Sequence, residues 1–172
     1  MQAMILAAGF GTRLKPYSLA KPKPLFPILN RPLLRATINR LQSSGFNQVT
    51  VNCHHLREQI IDEIEGVDGV IIQAEEIILG TGGGLRQALD HLSDEPLLVT
   101  NGDIYHGVDF GEVYRHHLKT GAQVTMVLHD CPRFNTVSAA DSCITGFEHA
   151  RQDHCLAYTG IGNAQMLYPT PK

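Results

Sequence analysis

The segment that most constrains this chain is LAAGFGTRLKPYSLAKPKPLFPI at residues 6–28. The apolar residues 4–8 predict a buried strand, and Gly9-Phe10-Gly11 breaks that strand with a turn that glycine permits. Backbone N–H groups of such a loop can approach an anion, and Arg13 with the three lysines that follow can neutralise its charge. The pattern therefore favours a strand and loop that bind a polyphosphate.

Charge is divided unevenly along the chain. Residues 1–57 contain eight Lys and Arg and no Asp or Glu, whereas residues 58–172 contain the other six bases and all seventeen acids. The two parts carry net charges of +8 and −11, which give the −3 of the whole chain. This asymmetry favours an anionic ligand near the N-terminal part, and a solvated basic face is the alternative. Nucleic acid is not expected, because the bases lie in a Gly/Pro loop rather than on a basic helix.

Length and composition indicate one globular domain. With 172 residues, of which 43% are hydrophobic, we expect a single domain over residues 1–172. No apolar run approaches the ~20 residues of a membrane span, so no membrane association is expected. The first strand begins within a few residues of the N-terminus, which predicts a cytoplasmic protein without a signal peptide. The four cysteines form no CxxC pair and are expected to be reduced thiols.

Strand and helix signals alternate along most of the chain. Strands are predicted at residues 4–8, 48–53, 70–73, 97–100, 123–129, 136–139, 144–149 and 156–161. Helices are predicted at residues 32–44, 55–65, 83–92 and 110–120. The alternation predicts an α/β fold, with three αβα layers around a Rossmann-like sheet that is mostly parallel but mixed. Ligands of such sheets bind beyond the carboxyl ends of the strands, where the Gly9 loop, the segment after Gln73 and Asp103 should meet.

The glycine loop matches neither of two common phosphate-binding motifs. It lacks the G-x-x-x-x-G-K-[ST] pattern of P-loop proteins, and Leu14 occupies the position of the third glycine of a dinucleotide fingerprint. An NAD-dependent dehydrogenase would also leave Arg13 and Lys23 without a purpose. That class is therefore disfavoured.

The run LAAGFGTRLKP followed by KPKPLFPI resembles the signature of the sugar nucleotidyltransferases, or NDP-sugar pyrophosphorylases. Three later segments support this resemblance. They are similar to the family's base-recognition segment (QAEEIILGTGGGL, 73–85), its metal-binding strand end (VTNGDIY, 99–105) and its sugar-site strand (AYTGI, 157–161). VNCHHLREQI at residues 51–60 is similar to the branch of muramate-1-phosphate uridylyltransferases and mannose-1-phosphate guanylyltransferase-like proteins.

Carried over residue by residue, the resemblance implies a site for each substrate. The nucleoside triphosphate would contact Leu6, Ala8, Gly9, Gly11, Thr12, Arg13, Gln73, Gly80 and Thr81. In this set the glycine loop would cradle the triphosphate, Arg13 would hold its β- and γ-phosphates, and the last three residues would meet the base. Lys23 would contact the α-phosphate and the sugar phosphate, and Asp103 would bind Mg²⁺. The sugar would face Glu148, Thr159 and Gly160. Arg13, Lys23 and Asp103 are thus the implied catalytic residues.

The implied reaction joins a nucleoside triphosphate and a sugar 1-phosphate into an NDP-sugar and pyrophosphate. Its nucleophile is already an anion, so positioning and electrostatics supply most of the catalysis. Family members continue past the YTGI strand, so the resemblance also implies that the C-terminal part of the domain is missing. A nucleotide-binding or regulatory module without turnover therefore stays open as the alternative. The base, the sugar and the oligomeric state are not fixed by the sequence, and a homo-oligomer is compatible with it.

Overall fold

A computed structural model of the chain describes residues 1–147 and 155–164. The strands are β1 (Gln2–Leu6), β2 (Pro27–Ile28), β3 (Arg31–Pro32), β4 (Gln48–Cys53), β5 (Val70–Ala74), β6 (Leu97–Asn101), β7 (Val124–His129), β8 (Val137–Ala140), β9 (Cys143–Phe147) and β10 (Cys155–Ala164). The α-helices are α1 (Tyr17–Ala20), α2 (Leu33–Ser43), α3 (Arg57–Ile64), α4 (Gly80–Ala88) and α5 (Phe110–Thr120). Short 3₁₀ turns lie at Thr12–Leu14, Lys23–Leu25 and Leu89–His91. No described helix is long and apolar enough to cross a bilayer.

The sheet is parallel in the half that holds the N-terminal strands. β1 pairs in parallel with β4 and β6, and β4 pairs in parallel with β5. On the other side β10 runs antiparallel to β6, β7 and β8, and β8 pairs antiparallel with β9. Among the described residues the strand order is β5-β4-β1-β6-β10-β8-β9, with β7 against β10. The predicted mostly parallel but mixed sheet is confirmed.

Helices cover both faces of this sheet. On β1, Ala3 and Ile5 face one side and Met4 the other, because successive side chains of a strand alternate. The first face packs against α2, α3 and α5 through buried apolar residues, among them Leu34, Ile38, Leu41, Ile60, Ile64, Phe110 and Tyr114. The second face packs against α4 through Ala88 and Leu85. The molecule therefore has the predicted αβα layers.

The parallel strands end at the same level. Leu6 of β1 pairs with Asn52 of β4 and with Asn101 of β6, and Asn52 pairs in turn with Gln73 of β5. The loops that follow these four residues therefore begin side by side. This is the edge at which parallel sheets bind their ligands.

Several element boundaries differ from the predicted ones for local backbone reasons. Leu56 adopts a left-handed conformation with φ of 50°, so α3 begins after it rather than at His55, where the predicted helix begins. The β2–β3 hairpin was not predicted; Leu29 and Asn30 form its turn with φ of 49° and 61°, as two-residue hairpin turns require. The predicted strand at residues 144–149 is observed as β9, and its last two positions lie outside the described residues.

Candidate nucleotide-binding cleft

A cleft of 310 Å³ opens at the carboxyl ends of the parallel strands. It is bounded by the loop after β1, the segment around Lys23 and Pro24 (the lysine segment), the start of α4 and the end of β6. The residues that line it are Leu6, Ala7, Ala8, Gly9, Gly11, Thr12, Arg13, Lys23, Pro24, Asn52, Ile78, Gly80, Thr81, Asn101 and Asp103. Segments that are far apart in sequence thus share one cleft at the predicted edge of the sheet.

Backbone geometry at two glycines shapes the loop after β1. Gly11 has φ of 61°, a left-handed conformation that glycine adopts without strain, and a Cβ there would lie 3.1 Å from Cβ of the buried Ser18. Gly9 is exposed, and a Cβ there would have no atom within 4 Å. The loop therefore turns sharply into the Thr12–Leu14 turn and leaves open space beside its backbone, as an anion-binding loop requires.

The two predicted cations of the cleft differ in their surroundings. Arg13 is exposed, and within the described residues its guanidinium has neither a hydrogen bond nor an ion pair. Lys23 is half-buried, and its Nζ donates to Oδ2 of Asp103 at 2.5 Å. The cleft therefore presents one unpaired guanidinium beside a neutralised pair.

A glycine brings Asp103 into the cleft. The N–H of Gly102 donates to the carbonyl of Leu6 at 2.9 Å, which holds the end of β6 tightly against β1. A Cβ on Gly102 would lie 3.0 Å from Cγ2 of Ile5 and 3.2 Å from the Leu6 carbonyl oxygen, so a larger residue would push the strands apart. The carboxylate of the next residue consequently lies beside the glycine loop.

The predicted base-binding residues are only partly brought together. Gly80 and Thr81 line the cleft at the start of α4. Gln73 is 3% exposed and is not among the lining residues; its Nε2 donates to the carbonyl of Gly84 at 3.0 Å. The structure therefore does not bring Gln73 to the cleft, because its position in β5 directs the side chain towards α4.

Two of the three predicted sugar-binding residues lie within the described part of the chain. The hydroxyl of Thr159 donates to the carbonyl of Val127 at 2.7 Å, and both Thr159 and Gly160 belong to β10. Thr159 is not among the residues that line the cleft. Glu148 lies outside the described residues.

The side-chain oxygens that line the cleft suit a cation whose other ligands are substrate phosphates and water. Asp103 provides the one carboxylate among the described lining residues, which also include Asn101. Within residues 1–147 and 155–164, no three His, Cys, Asp or Glu side chains form a metal-binding group. Mg²⁺ commonly binds to one or two carboxylates together with substrate phosphates and water, so these residues fit it.

The cysteine at the end of β4 takes no part in this chemistry. Cys53 is fully buried in the core, and burial raises the pKa of its thiol to about 11. Among the smaller contributions to this pKa, Arg57 lowers it, and Glu75 and Glu58 raise it. The thiol is therefore protonated at neutral pH and is not a nucleophile.

The family model described as Nucleotidyl transferase matches residues 2–135, which include the glycine loop, the lysine segment, the start of α4 and Asp103. The chain belongs to the nucleotidyl transferase family. The predicted family is thereby confirmed.

Curated relatives of the chain are named for different bases and sugars. It is 37% identical over 120 residues to an N-acetylmuramate alpha-1-phosphate uridylyltransferase of Neisseria meningitidis, with 67% of this chain and 52% of the relative covered. It is 30% identical over 155 residues to a D-glycero-alpha-D-manno-heptose 1-phosphate guanylyltransferase of Aneurinibacillus thermoaerophilus, with 86% and 67% covered. It spans 36% and 38% of the length of two other curated relatives.

A solved structure has the same fold as this chain. HddC from Yersinia pseudotuberculosis superposes with a TM-score of 0.80 at 25% identity, with 95% of this chain and 76% of that chain covered. A second structure of HddC is a complex with GMP-PN. The αβα arrangement described above is thus the arrangement of a nucleotidyltransferase fold.

Two polar residues at the cleft, Asn52 and Glu75, are not among the predicted site residues. Asn52 lines the cleft at the end of β4. Its side-chain amide donates a hydrogen bond to the carboxylate of Glu75, a residue that is only 1% exposed. The sequence contained a sign of both. Asn52 is a polar residue inside a buried strand and Glu75 is an acid directly after one, and polar or charged side chains are costly to bury at such positions.

Proposed function

We propose that this chain transfers a nucleotidyl group from a nucleoside triphosphate to a sugar 1-phosphate and releases pyrophosphate. The observation that carries the proposal is the shared cleft, in which the glycine loop, Arg13, Lys23, Asp103 and the start of α4 meet. The relatives named above provide the substrate classes. The reaction consumes nucleoside triphosphates, which fits the cytoplasmic location predicted from the sequence.

The proposed reaction is a substitution at the α-phosphorus. A phosphate oxygen of the sugar 1-phosphate forms a bond to that phosphorus, and the bond to the oxygen that bridges to the β-phosphate breaks. The electron pair of that bond leaves with pyrophosphate, so charge develops on the leaving group. Because the nucleophile is an anion already, the protein has to hold two anions together and stabilise this charge.

Each charged residue of the cleft has a role in this reaction. The backbone of the Gly9–Gly11 loop holds the triphosphate, and Arg13 pairs with its β- and γ-phosphates through a bidentate guanidinium. Lys23 places its ammonium group between the α-phosphate and the sugar phosphate. Gly80 and Thr81 contact the base. Asp103 holds Mg²⁺, which when bound supplies positive charge to the phosphates.

Pyrophosphate release tests the proposal. The chain is incubated with Mg²⁺ and each of GTP, UTP, CTP and dTTP, together with mannose 1-phosphate, glucose 1-phosphate or N-acetylmuramate 1-phosphate. We expect release with at least one pair of substrates, and none when the sugar phosphate is omitted. Nucleotide binding without release in every pair would overturn the proposal and favour a binding or regulatory module.

A further inference from the structure

A buried carboxylate lies behind the cleft without a cationic partner among the described residues. Glu75 directly follows β5 and is 1% exposed. Its Oε1 accepts a hydrogen bond from Nδ2 of Asn52 at 2.7 Å, and its Oε2 accepts one from the backbone N–H of Leu79 at 3.0 Å. Burying a carboxylate is costly unless hydrogen bonds satisfy it, so both contacts are specific requirements of this position.

Asn52 extends this contact to the phosphate loop. Its Oδ1 accepts a hydrogen bond from the N–H of Ala7 at 2.8 Å, two residues before the first glycine of the loop. Asn52 borders the cleft, but its Oδ1 and Nδ2 are both engaged by protein groups. A continuous chain of hydrogen bonds therefore runs from Ala7 through Asn52 and Glu75 to Leu79, the residue before Gly80.

Packing and backbone contacts fix the same pair. The N–H of Glu75 donates to the carbonyl of Cys53 at 2.8 Å, and Nδ1 of His54 lies 3.0 Å from the carbonyl oxygen of Glu75. A Cβ on Gly84 of α4 would lie 2.9 Å from Nδ2 of Asn52 and 3.0 Å from Oε1 of Glu75, so the helix rests directly on the pair. Neither side chain can move without disturbing a neighbouring element.

We infer that Asn52 and Glu75 are positioning residues that hold the phosphate loop and the base segment at a fixed separation. Nucleotide affinity then depends on this pair, although Glu75 does not line the cleft. The inference rests on the proposed function for the identity of the ligand. The hydrogen bonds connect residues 45 and 23 positions apart in sequence, and they continue the β1–β4 and β4–β5 contacts beyond the strand ends.

Exchanging the two side-chain chemistries tests the inference. Asn52→Asp alone places a second carboxylate against Glu75. Glu75→Gln alone places an amide NH₂ opposite one of two donors, the Asn52 amide or the Leu79 N–H. The double variant Asn52→Asp/Glu75→Gln restores a donor and an acceptor at every contact and keeps the net charge. Glu76→Gln is the matched control, since it makes the same chemical change at the neighbouring exposed residue.

Three measurements are made on wild type and on the four variants: nucleotide affinity, steady-state KM values and hydrogen exchange. Calorimetric titration with GTP and UTP, well below the melting temperature, should show affinity about tenfold weaker in each single variant, within the range of coupling between contacting residues. The double variant should recover to within about threefold of wild type, by the same coupling. In the steady state, the KM for the nucleotide should rise more than the KM for the sugar phosphate. Without nucleotide, hydrogen exchange at the amides of Ala7 and Leu79 should speed up in the single variants and slow again in the double variant.

The outcomes separate this inference from the proposed function. Single variants that bind nucleotide as Glu76→Gln does, or a double variant whose losses simply add, would overturn the inference. If the single variants fail to fold, a double variant that folds and binds supports it, and one that also fails to fold overturns it, since every hydrogen bond was restored. Absent pyrophosphate release from wild type overturns the proposed function alone, because the exchange measurement needs no substrate.

Discussion

The ammonium nitrogen of Lys23 lies 2.5 Å from Oδ2 of Asp103, a residue 80 positions later in the chain. The two side chains retain 24% and 29% of their exposure, so the ion pair stands at the wall of the cleft rather than beneath it. In the nucleotide-free protein each side chain therefore neutralises the other. Phosphate and a cation are the two charges that can replace these partners, and they are the charges that the proposed reaction brings.

Lys23→Ala should reduce turnover more than nucleotide affinity. Its proposed contacts are with the reacting phosphates, and loss of one preorganised contact of this kind costs about 10²–10³ in rate. Steady-state pyrophosphate release and calorimetric binding measure the two effects separately. Lys21→Ala removes the same charge from an exposed position of the same segment and should change neither. Equal effects of the two substitutions would contradict the proposed role of Lys23 at the reacting phosphates.

Asp103→Asn should weaken the dependence of nucleotide binding on Mg²⁺. The amide keeps the size of the side chain but lacks the charge that a hard cation prefers. The melting temperature should stay nearly constant, because the affected ion pair is partly exposed and such pairs contribute about 0–1 kcal/mol. Titration with GTP and UTP at several Mg²⁺ concentrations is the measurement. A variant that loses stability yet retains its Mg²⁺ dependence would show a structural role at the turn instead.

Arg13→Ala should weaken binding of the triphosphate more than binding of the corresponding monophosphate. The guanidinium is exposed at the cleft, and its proposed partners are the β- and γ-phosphates. Hydrogen bonds to charged groups contribute about 1.5–3 kcal/mol each, so the affinity should fall about tenfold or more. Arg31→Ala, an exposed arginine of the β2–β3 hairpin, serves as the control. Equal losses for triphosphate and monophosphate would place Arg13 elsewhere on the ligand.

Gly84→Ala and Gly82→Ala should have opposite effects on stability, although both lie in α4. A Cβ at Gly82 has no atom within 4 Å, so alanine there should stabilise the helix by about 0.5–1 kcal/mol. A Cβ at Gly84 meets Asn52 and Glu75 within 3.0 Å, and overpacking of this kind costs about 1–3 kcal/mol. Urea unfolding of both variants measures the difference. A stabilising Gly84→Ala would contradict the tight contact between α4 and the buried pair.

Alkaline conditions should destabilise the fold through Cys53. The folded pKa is about 11 and the ordinary value is 9.0, so between these two values the unfolded chain has lost a proton that the folded chain still holds. The contribution of Cys53 to the free energy of unfolding is therefore constant below pH 9 and falls as the pH rises from 9 towards 11. Urea unfolding across this range, compared with Cys53→Ala, isolates the effect of this thiol. Parallel pH profiles for the two proteins would contradict it.

The αβα class and several residues that line the cleft could be predicted from the sequence alone. Strand and helix periodicity depend on local side-chain alternation, so they can be recognised without a structure. The Gly9–Gly11 loop, Arg13 and Lys23 lie within fifteen residues of one another. Asp103 was predicted because it follows an apolar strand, and the carboxyl ends of parallel strands meet at one edge.

Only the tertiary structure decided which side chains pair with one another. The contacts of Lys23 with Asp103 and of Asn52 with Glu75 join distant segments, and their geometry depends on strand order and register. Gln73 points towards Gly84 and away from the cleft, because alternation along β5 places its side chain on the face that α4 covers. Hydrophobic periodicity along the chain determines where its helices and strands form. The order and register of the strands determine which side chains meet at the cleft.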